Sequence, residues 1–168
     1  MSQPVVLKYF HREVADRLAI LANNPRVSAQ VRDNFPFPYT ISDAYFWIDL
    51  CNKQHAGSYH RAIYYHDEFV GGIGVLQQED IYRYNAEIGY WLGEPYWGLN
   101  IATEAVKQMT AWIFANTEIH RLFAGVFETN KASMRVLEKA GYQSEAVHRK
   151  AIVKNGQVID EHLFVKLR

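Results

Sequence analysis

One stretch constrains the fold of this chain more than any other: Trp97-Gly98-Leu99-Asn100-Ile101-Ala102-Thr103-Glu104-Ala105. A β-rich run, Tyr84 to Leu92, enters it through a turn from Gly93 to Leu99. Beyond it the period becomes helical, because Ala105, Met109 and Trp112 fall at i, i+4 and i+7 with Val106 and Ile113 alongside. A strand, a tight loop ending in small residues and a helix form the geometry in which backbone N–H groups close around a phosphate. About one strand later comes a second block, Asn130-Lys131-Ala132-Ser133 running on to Leu137-Glu138-Lys139-Ala140-Gly141-Tyr142. The two blocks together point to an enzyme that handles a phosphate-bearing coenzyme.

The other elements follow from similar signals. Val5 to Tyr9 reads as a first strand, and Arg12 to Ala22 as a helix that Asn23-Asn24-Pro25 ends. Pro36 and Pro38 force their predecessors out of αR, so Asp33 to Tyr39 is an aromatic loop. Thr40 and Asp43 have capping-box spacing at the start of a second helix that reaches Gln54 or His55. Tyr59 to Tyr65 and Phe69 to Gln77 pair as a hairpin through His66-Asp67-Glu68, and Tyr84 to Leu92 extends the meander. Leu122 to Phe127 is a strand, Ala132 to Ala140 a helix closed by Gly141, and Asn155-Gly156 a type I′ turn between two last strands. The order β-α-α-β-β-β-α-β-α-β-β implies an α/β (α+β) fold with a mixed central sheet of about six or seven strands and about four helices on its two faces. No repeat, linker or low-complexity run divides residues 1–168, which read as a single domain with enough apolar content, 49%, for one core.

Several chemistries lack their residues. Gly71-Gly72-Ile73-Gly74 has neither the spacing nor the following helix of a dinucleotide fingerprint, and marks a bulge or a close backbone approach. No phosphate-binding G-x-x-x-x-G-K-[ST], nucleophile elbow or metal-binding histidine–carboxylate spacing occurs, so no metal is expected. Eighteen basic and eighteen acidic side chains cancel, which removes the field that would favour nucleic acid or an anionic membrane. A lone Cys51, no apolar run of membrane-spanning length and no leader pattern lead to the expectation of a cytoplasmic protein.

Element order and both blocks resemble the GNAT family of N-acetyltransferases, in particular the branch that acetylates ribosomal-protein N-termini. The resemblance rests on Glu87-Ile88-Gly89-Tyr90-Trp91-Leu92, Tyr96-Trp97-Gly98, Ala102-Thr103-Glu104-Ala105 and the Asn130 to Tyr142 block. It implies acetyl-CoA as co-substrate, bound by Trp97, Gly98, Leu99, Asn100, Ile101, Ala102 and Thr103 at the phosphates. This loop departs from the family's [QR]-x-x-G-x-[GA] pattern in two places. Trp97 replaces a polar residue, and Asn100 a glycine, although asparagine is the non-glycine residue that best tolerates αL. The resemblance further implies that Tyr90, Trp91 and Leu92 offer backbone groups to the pantetheine arm, Asn130 contacts that arm, and Arg135, with Lys131 and Lys139, meets the 3′-phosphate.

For catalysis the resemblance implies two residues. Glu87 matches a glutamate many members carry some ten residues before the loop, and would take a proton from the amine; it is also readable as an ordinary strand carboxylate. Ser133 stands where the ribosomal-protein branch places a serine that donates to the leaving sulfur, and is also readable as a first-turn serine. Many members have a tyrosine seven residues after the asparagine, where this chain has Leu137. The branch's carboxylate after the Gly-Tyr pair is missing from Val147 to Ile152, leaving His148, Asp160, Glu161 and His162 in reserve. Phe35, Phe37, Tyr39, Tyr82 and Tyr84 are the expected acceptor wall. The expected partner is a primary amine, at a protein or peptide N-terminus or on a small molecule, and the expected state a monomer or homodimer. A non-catalytic acyl-CoA sensor is the rival from another class.

Overall fold

The computed structural model describes residues 4–53 and 55–168. Its strands are β1 (Val5–Lys8), β2 (Ser58–Tyr65), β3 (Glu68–Gln77), β4 (Asn85–Leu92), β5 (Arg121–Phe127), β6 (Gln143–Lys154) and β7 (Gln157–Leu167). They form one seven-stranded sheet in the order β1-β2-β3-β4-β5-β7-β6. The helices are α1 (Ala15–Ala22), α2 (Pro25–Ser28), α3 (Ile41–Asn52), α4 (Ile101–Asn116) and α5 (Lys131–Lys139). The expected mixed fold is present, with one helix more than the reading of the sequence allowed.

That extra helix is α2, at the asparagines read as a stop. Asn24 does not only follow α1: its Oδ1 accepts from the N–H groups of Arg26 and Val27, with Pro25 at the first helical position, so it starts a new turn. Other boundaries differ from expectation as well. Arg12–Val14 is a 3₁₀ turn before α1, β1 ends one residue before Tyr9, and α3 closes at Asn52 through the cap at Lys53. His55 lies beyond that helix, and Gln54 lies outside the described residues.

Local chemistry accounts for the joints. His66 and Asp67 both have positive φ, as do Asn155 and Gly156, which makes both hairpins two-residue type I′ turns. Thr40 and Asp43 make the reciprocal capping box of α3. Tyr142 N–H bonds the Leu137 carbonyl at 2.9 Å and Gly141 N–H the Glu138 carbonyl at 3.0 Å, so α5 ends in a Schellman motif around a Gly141 φ of 87°. The glycines of β3 serve both anticipated purposes. The β2–β3 register shifts at Ile63/Tyr64, and a Cβ on Gly71 would lie 2.1 Å from the Trp91 carbonyl oxygen.

Two apolar clusters cover the sheet. One, containing Ile88, Ile101, Met109, Ile113, Leu122 and Leu137, lies under α4 and α5; the other, with Phe10, Leu18, Ile48 and Phe69, lies under α1 and α3. The parallel pair β4–β5 is held by three register pairs, Asn85↔Arg121, Ala86↔Leu122 and Glu87↔Phe123. Beyond Glu87 the strands part. Residues 88–92 stay paired to β3, and residues 124–127 to β7, so a wedge opens through the centre of the sheet.

Candidate active site

A cleft of about 1310 Å³ runs through this wedge and is lined from both faces of the sheet. On the α4–α5 face lies the loop after β4. Gly98 (φ 75°) and Asn100 (φ 63°) are both left-handed, and no side chain caps the first turn of α4. Its N–H groups are therefore available to an anion at the positive end of a 16-residue helix. The unusual Trp97 has a structural partner: its indole N–H donates to the Leu92 carbonyl at 2.9 Å and its ring carries the Arg26 guanidinium at 5.5 Å. Arg26 and Asn24 also bond Glu94, so α2 buttresses the loop from outside. Trp97, Gly98, Asn100, Ile101, Ala102 and Thr103 line the cleft, whereas Leu99 is outside the lining and half exposed.

The start of α5 forms the facing wall. Asn130 Oδ1 accepts the Ser133 N–H at 3.1 Å, which caps the helix. Ser133 Oγ lies 2.7 Å from the Tyr90 hydroxyl on β4, so the serine and the tyrosine form one hydrogen-bonded pair across the cleft. Burial pushes the Tyr90 phenol up to about 12 against the opposing pull of its bond to Ser133, and keeps it a neutral hydroxyl. Lys131, Arg135 and Lys139 line the rim at i, i+4 and i+8 of the same helix, all exposed. Leu137 is wholly buried in the core, and offers the cleft nothing.

Glu87 reaches the cleft from the opposite face. Sheet alternation puts it with Trp91, which packs into the α1–α3 cluster, while Tyr90 points to α5. The Glu87 carboxylate accepts from the Arg32 guanidinium. Burial raises its pKa above the ordinary carboxylate value; Arg32 pulls it down and the Glu161 carboxylate pushes it up. The residue after Arg32 bonds elsewhere: Asp33 takes Lys154 of β6 at 2.7 Å, tying the aromatic loop to the last hairpin.

The expected acceptor wall divides. Phe35 and Tyr39 line the cleft, with Phe35 5.1 Å from Tyr39 and 5.4 Å from Trp91 between ring centroids. Phe37 is half exposed and lies outside the lining. Tyr82 sits on a 3₁₀ turn before β4, at the end of the strand where β4 and β5 are still paired, and faces a separate depression of about 300 Å³. Tyr84 is outside the cleft lining too, with its ring edge-on to His120 at 5.1 Å between centroids. Their places are taken by Phe46, Trp47 and Leu50 of α3, together with Gln30, His60 and Glu161. A signal for α3 was present in Tyr45-Phe46-Trp47, since no single helix face buries three consecutive aromatic rings. Among the described residues no group of three or more His, Cys, Asp or Glu side chains is placed to hold a metal, and no helix is long and apolar enough to cross a membrane.

Comparison with known proteins agrees with this geometry. A family model for an acetyltransferase (GNAT) domain matches residues 5–143. The probable N-acetyltransferase YjcK of Bacillus subtilis is 38% identical over 96 residues, 57% of this chain and 52% of that protein. An uncharacterized N-acetyltransferase, p20 of Bacillus licheniformis, is 28% identical over 174 residues, 99% of this chain and 94% of that protein. The chain spans about half the length of several other curated relatives it matches, such as YoaA of Bacillus subtilis at 54%. Among solved structures, the microcin C7 self-immunity acetyltransferase MccE, in complex with acetyl-CoA and AMP, superposes with a TM-score of 0.87 at 24% identity, covering 99% of this chain and 94% of that one. The ribosomal L7/L12 α-N-protein acetyltransferase RimL in complex with coenzyme A gives 0.86 at 20% identity, with 99% and 95% covered. At these identities the structures share the fold.

Proposed function

The chain belongs to the acetyltransferase (GNAT) family, and from that premise we propose that it transfers an acetyl group from acetyl-CoA to a primary amine, above all the α-amine of a protein or peptide N-terminus. The observation that carries this reading is the wedge beyond Glu87, which lets one cleft reach both faces of the sheet. A coenzyme arm on the α5 face and an amine on the α3 face then meet in the opening between β4 and β5. The uncapped start of α4 and the Lys131, Arg135 and Lys139 stripe suit the phosphates of the coenzyme. Residues 88–92 have lost their β5 partners, and their backbone groups suit an extended amide-bearing arm.

When bound, acetyl-CoA supplies an activated acetyl thioester. The protein's own side chains handle protons on either side of it. Glu87 accepts from the amine, which is largely an ammonium at neutral pH with a pKa near 8. Ser133, held on the Tyr90 hydroxyl, donates towards the sulfur from the α5 face. The α-amine acceptor is supported by Ser133 with Leu137 in the positions described, and by the similar putative ribosomal N-acetyltransferase YdaF of Bacillus subtilis, 29% identical over 91 residues, 54% of this chain and 50% of that protein.

A second reading, a small-molecule amine with a planar ring, is favoured by the aromatic lining Phe35, Tyr39, Phe46, Trp47 and Trp91 and by the AMP seen with the similarly folded MccE. One assay separates them. Thiol release from acetyl-CoA is followed over a panel of N-terminal peptides, amino acids, polyamines and aromatic amines. Preferred turnover of peptides supports the first reading and of aromatic amines the second; release with none of them, while the coenzyme still binds, leaves a sensor.

A further inference from the structure

Acetylation of an ammonium sets free one net proton. The N–C bond forms and the C–S bond breaks; nitrogen gives up two protons, the sulfur keeps one, and the other has to leave the cleft. Glu87 cannot pass it on through its nearest partner, because the Arg32 guanidinium only donates hydrogen bonds. A second carboxylate stands on the same face. Glu161 of β7 pairs in register with Phe127 and lines the cleft, close enough to Glu87 to push that carboxyl's pKa upward. Its space exists because β5 has a glycine there: a Cβ on Gly125 would lie 2.2 Å from Glu161 Oε1.

The other oxygen of Glu161 meets a histidine. Oε2 lies 3.0 Å from His148 Nδ1, and His148 does not line the cleft but the separate depression of about 300 Å³ beside it. The imidazole is half exposed, while Glu161 is mostly covered. Strand β6 is deformed immediately after His148. The β6–β7 register shifts between His148 and Ile152, Lys150 adopts a left-handed φ of 53°, and its N–H is held by Asp160 Oδ1 at 2.8 Å. A bulge of this kind re-aims the side chains around it.

We propose that Glu161 and His148 form an exit relay that carries the net proton of acetyl transfer from the cleft to bulk water. The relay rests on the acetyl-transfer reading above. Glu161 takes the proton inside, His148 takes it from Glu161 on one ring nitrogen and releases one from the other to solvent, and both groups return to their starting forms. An ion pair that merely ties β6 to β7 would be worth little, and turnover lost with it would not be restored by added imidazole.

The test uses the full chain and a peptide the wild type acetylates, in dilute buffer, with His148→Gln, Glu161→Gln and the double variant. Each single variant is expected to lower kcat by about tenfold or more, less than the roughly 100- to 10,000-fold that a general base supplies. KM for the peptide stays unchanged in His148→Gln, the acetyl-CoA affinity by calorimetry stays unchanged in all three, added imidazole restores His148→Gln towards the wild-type rate, and the double variant is no slower than Glu161→Gln. Unchanged kcat in either single variant overturns the relay, as does a loss in His148→Gln that imidazole leaves in place. A wild type that releases no thiol with any amine of the panel overturns the acetyl-transfer reading and the relay together; an active wild type with unaffected variants overturns the relay alone.

Discussion

Glu87 and Ser133 approach the wedge from opposite faces of the sheet, each held by a partner that biases its proton. For Glu87 the partner is Arg32. A raised pKa means that Glu87 keeps its proton to higher pH than a solvated carboxylate, so the acidic limb of kcat/KM lies above the ordinary glutamate value. Since Arg32 is the influence that pulls this pKa down, Arg32→Gln is expected to move the limb to still higher pH. The ratio of variant to wild-type profiles, in which the amine's own titration cancels, measures the shift. Glu87→Gln is expected to lower kcat by about 100-fold or more. For Ser133 the partner is Tyr90: Ser133→Ala lowers kcat, Tyr90→Phe lowers it less, and neither changes coenzyme affinity by more than about twofold, as calorimetry beside steady-state rates will show. His60 makes a prediction about stability. Burial against Trp47, with Arg61 adjacent, holds its pKa below 6.5 in the fold. The unfolded chain therefore binds this proton first, and stability falls as pH drops below about 6.5. His60→Gln flattens that slope in urea unfolding at pH values above and below it.

At the scale of elements, the loop into α4 and the helix α5 were the parts most readable in advance. A φ of 63° at Asn100 is the left-handed conformation that a glycine would adopt without strain. Asn100→Gly is expected to leave coenzyme binding intact, while the β-branched Asn100→Val costs about 1–2 kcal/mol in the same conformation; melting curves with and without coenzyme A distinguish them. On α5, substituting Lys139 or Arg135 by Gln weakens coenzyme A more than its dephospho form if the stripe meets the 3′-phosphate, and calorimetry with both ligands reads the difference. On β3, Gly71→Ala places a methyl group against the Trp91 carbonyl and is expected to destabilise by about 1–3 kcal/mol. These features were legible because each is local: a turn needing positive φ, a capping residue, a helical stripe. Tyr82, Tyr84 and Phe37 misled for the opposite reason. An aromatic ring says nothing about which end of a strand it stands on, and the cleft lining on that face comes instead from α3, whose three consecutive rings cannot all be buried.

For the whole molecule, sheet topology decides which distant residues meet. The order of elements and a mixed sheet were readable in advance, yet the place of β7 between β5 and β6, the Glu161–Gly125 fit and the Arg32–Glu87 pair depend on topology and register across the sheet and on how a loop folds back. Neither leaves a mark within a short window of sequence. The distribution of tryptophan shows what the finished arrangement adds. Of four tryptophans, Trp47 and Trp91 stand in the half of the cleft proposed for the acceptor and Trp97 in the loop half, with Trp112 outside the lining. Intrinsic emission is thus an unlabelled gauge with separate sensors for the two substrates: a coenzyme titration should act first on Trp97, an acceptor titration on Trp47 and Trp91, and their sequence in a stopped-flow trace would time-stamp the order in which the two arrive.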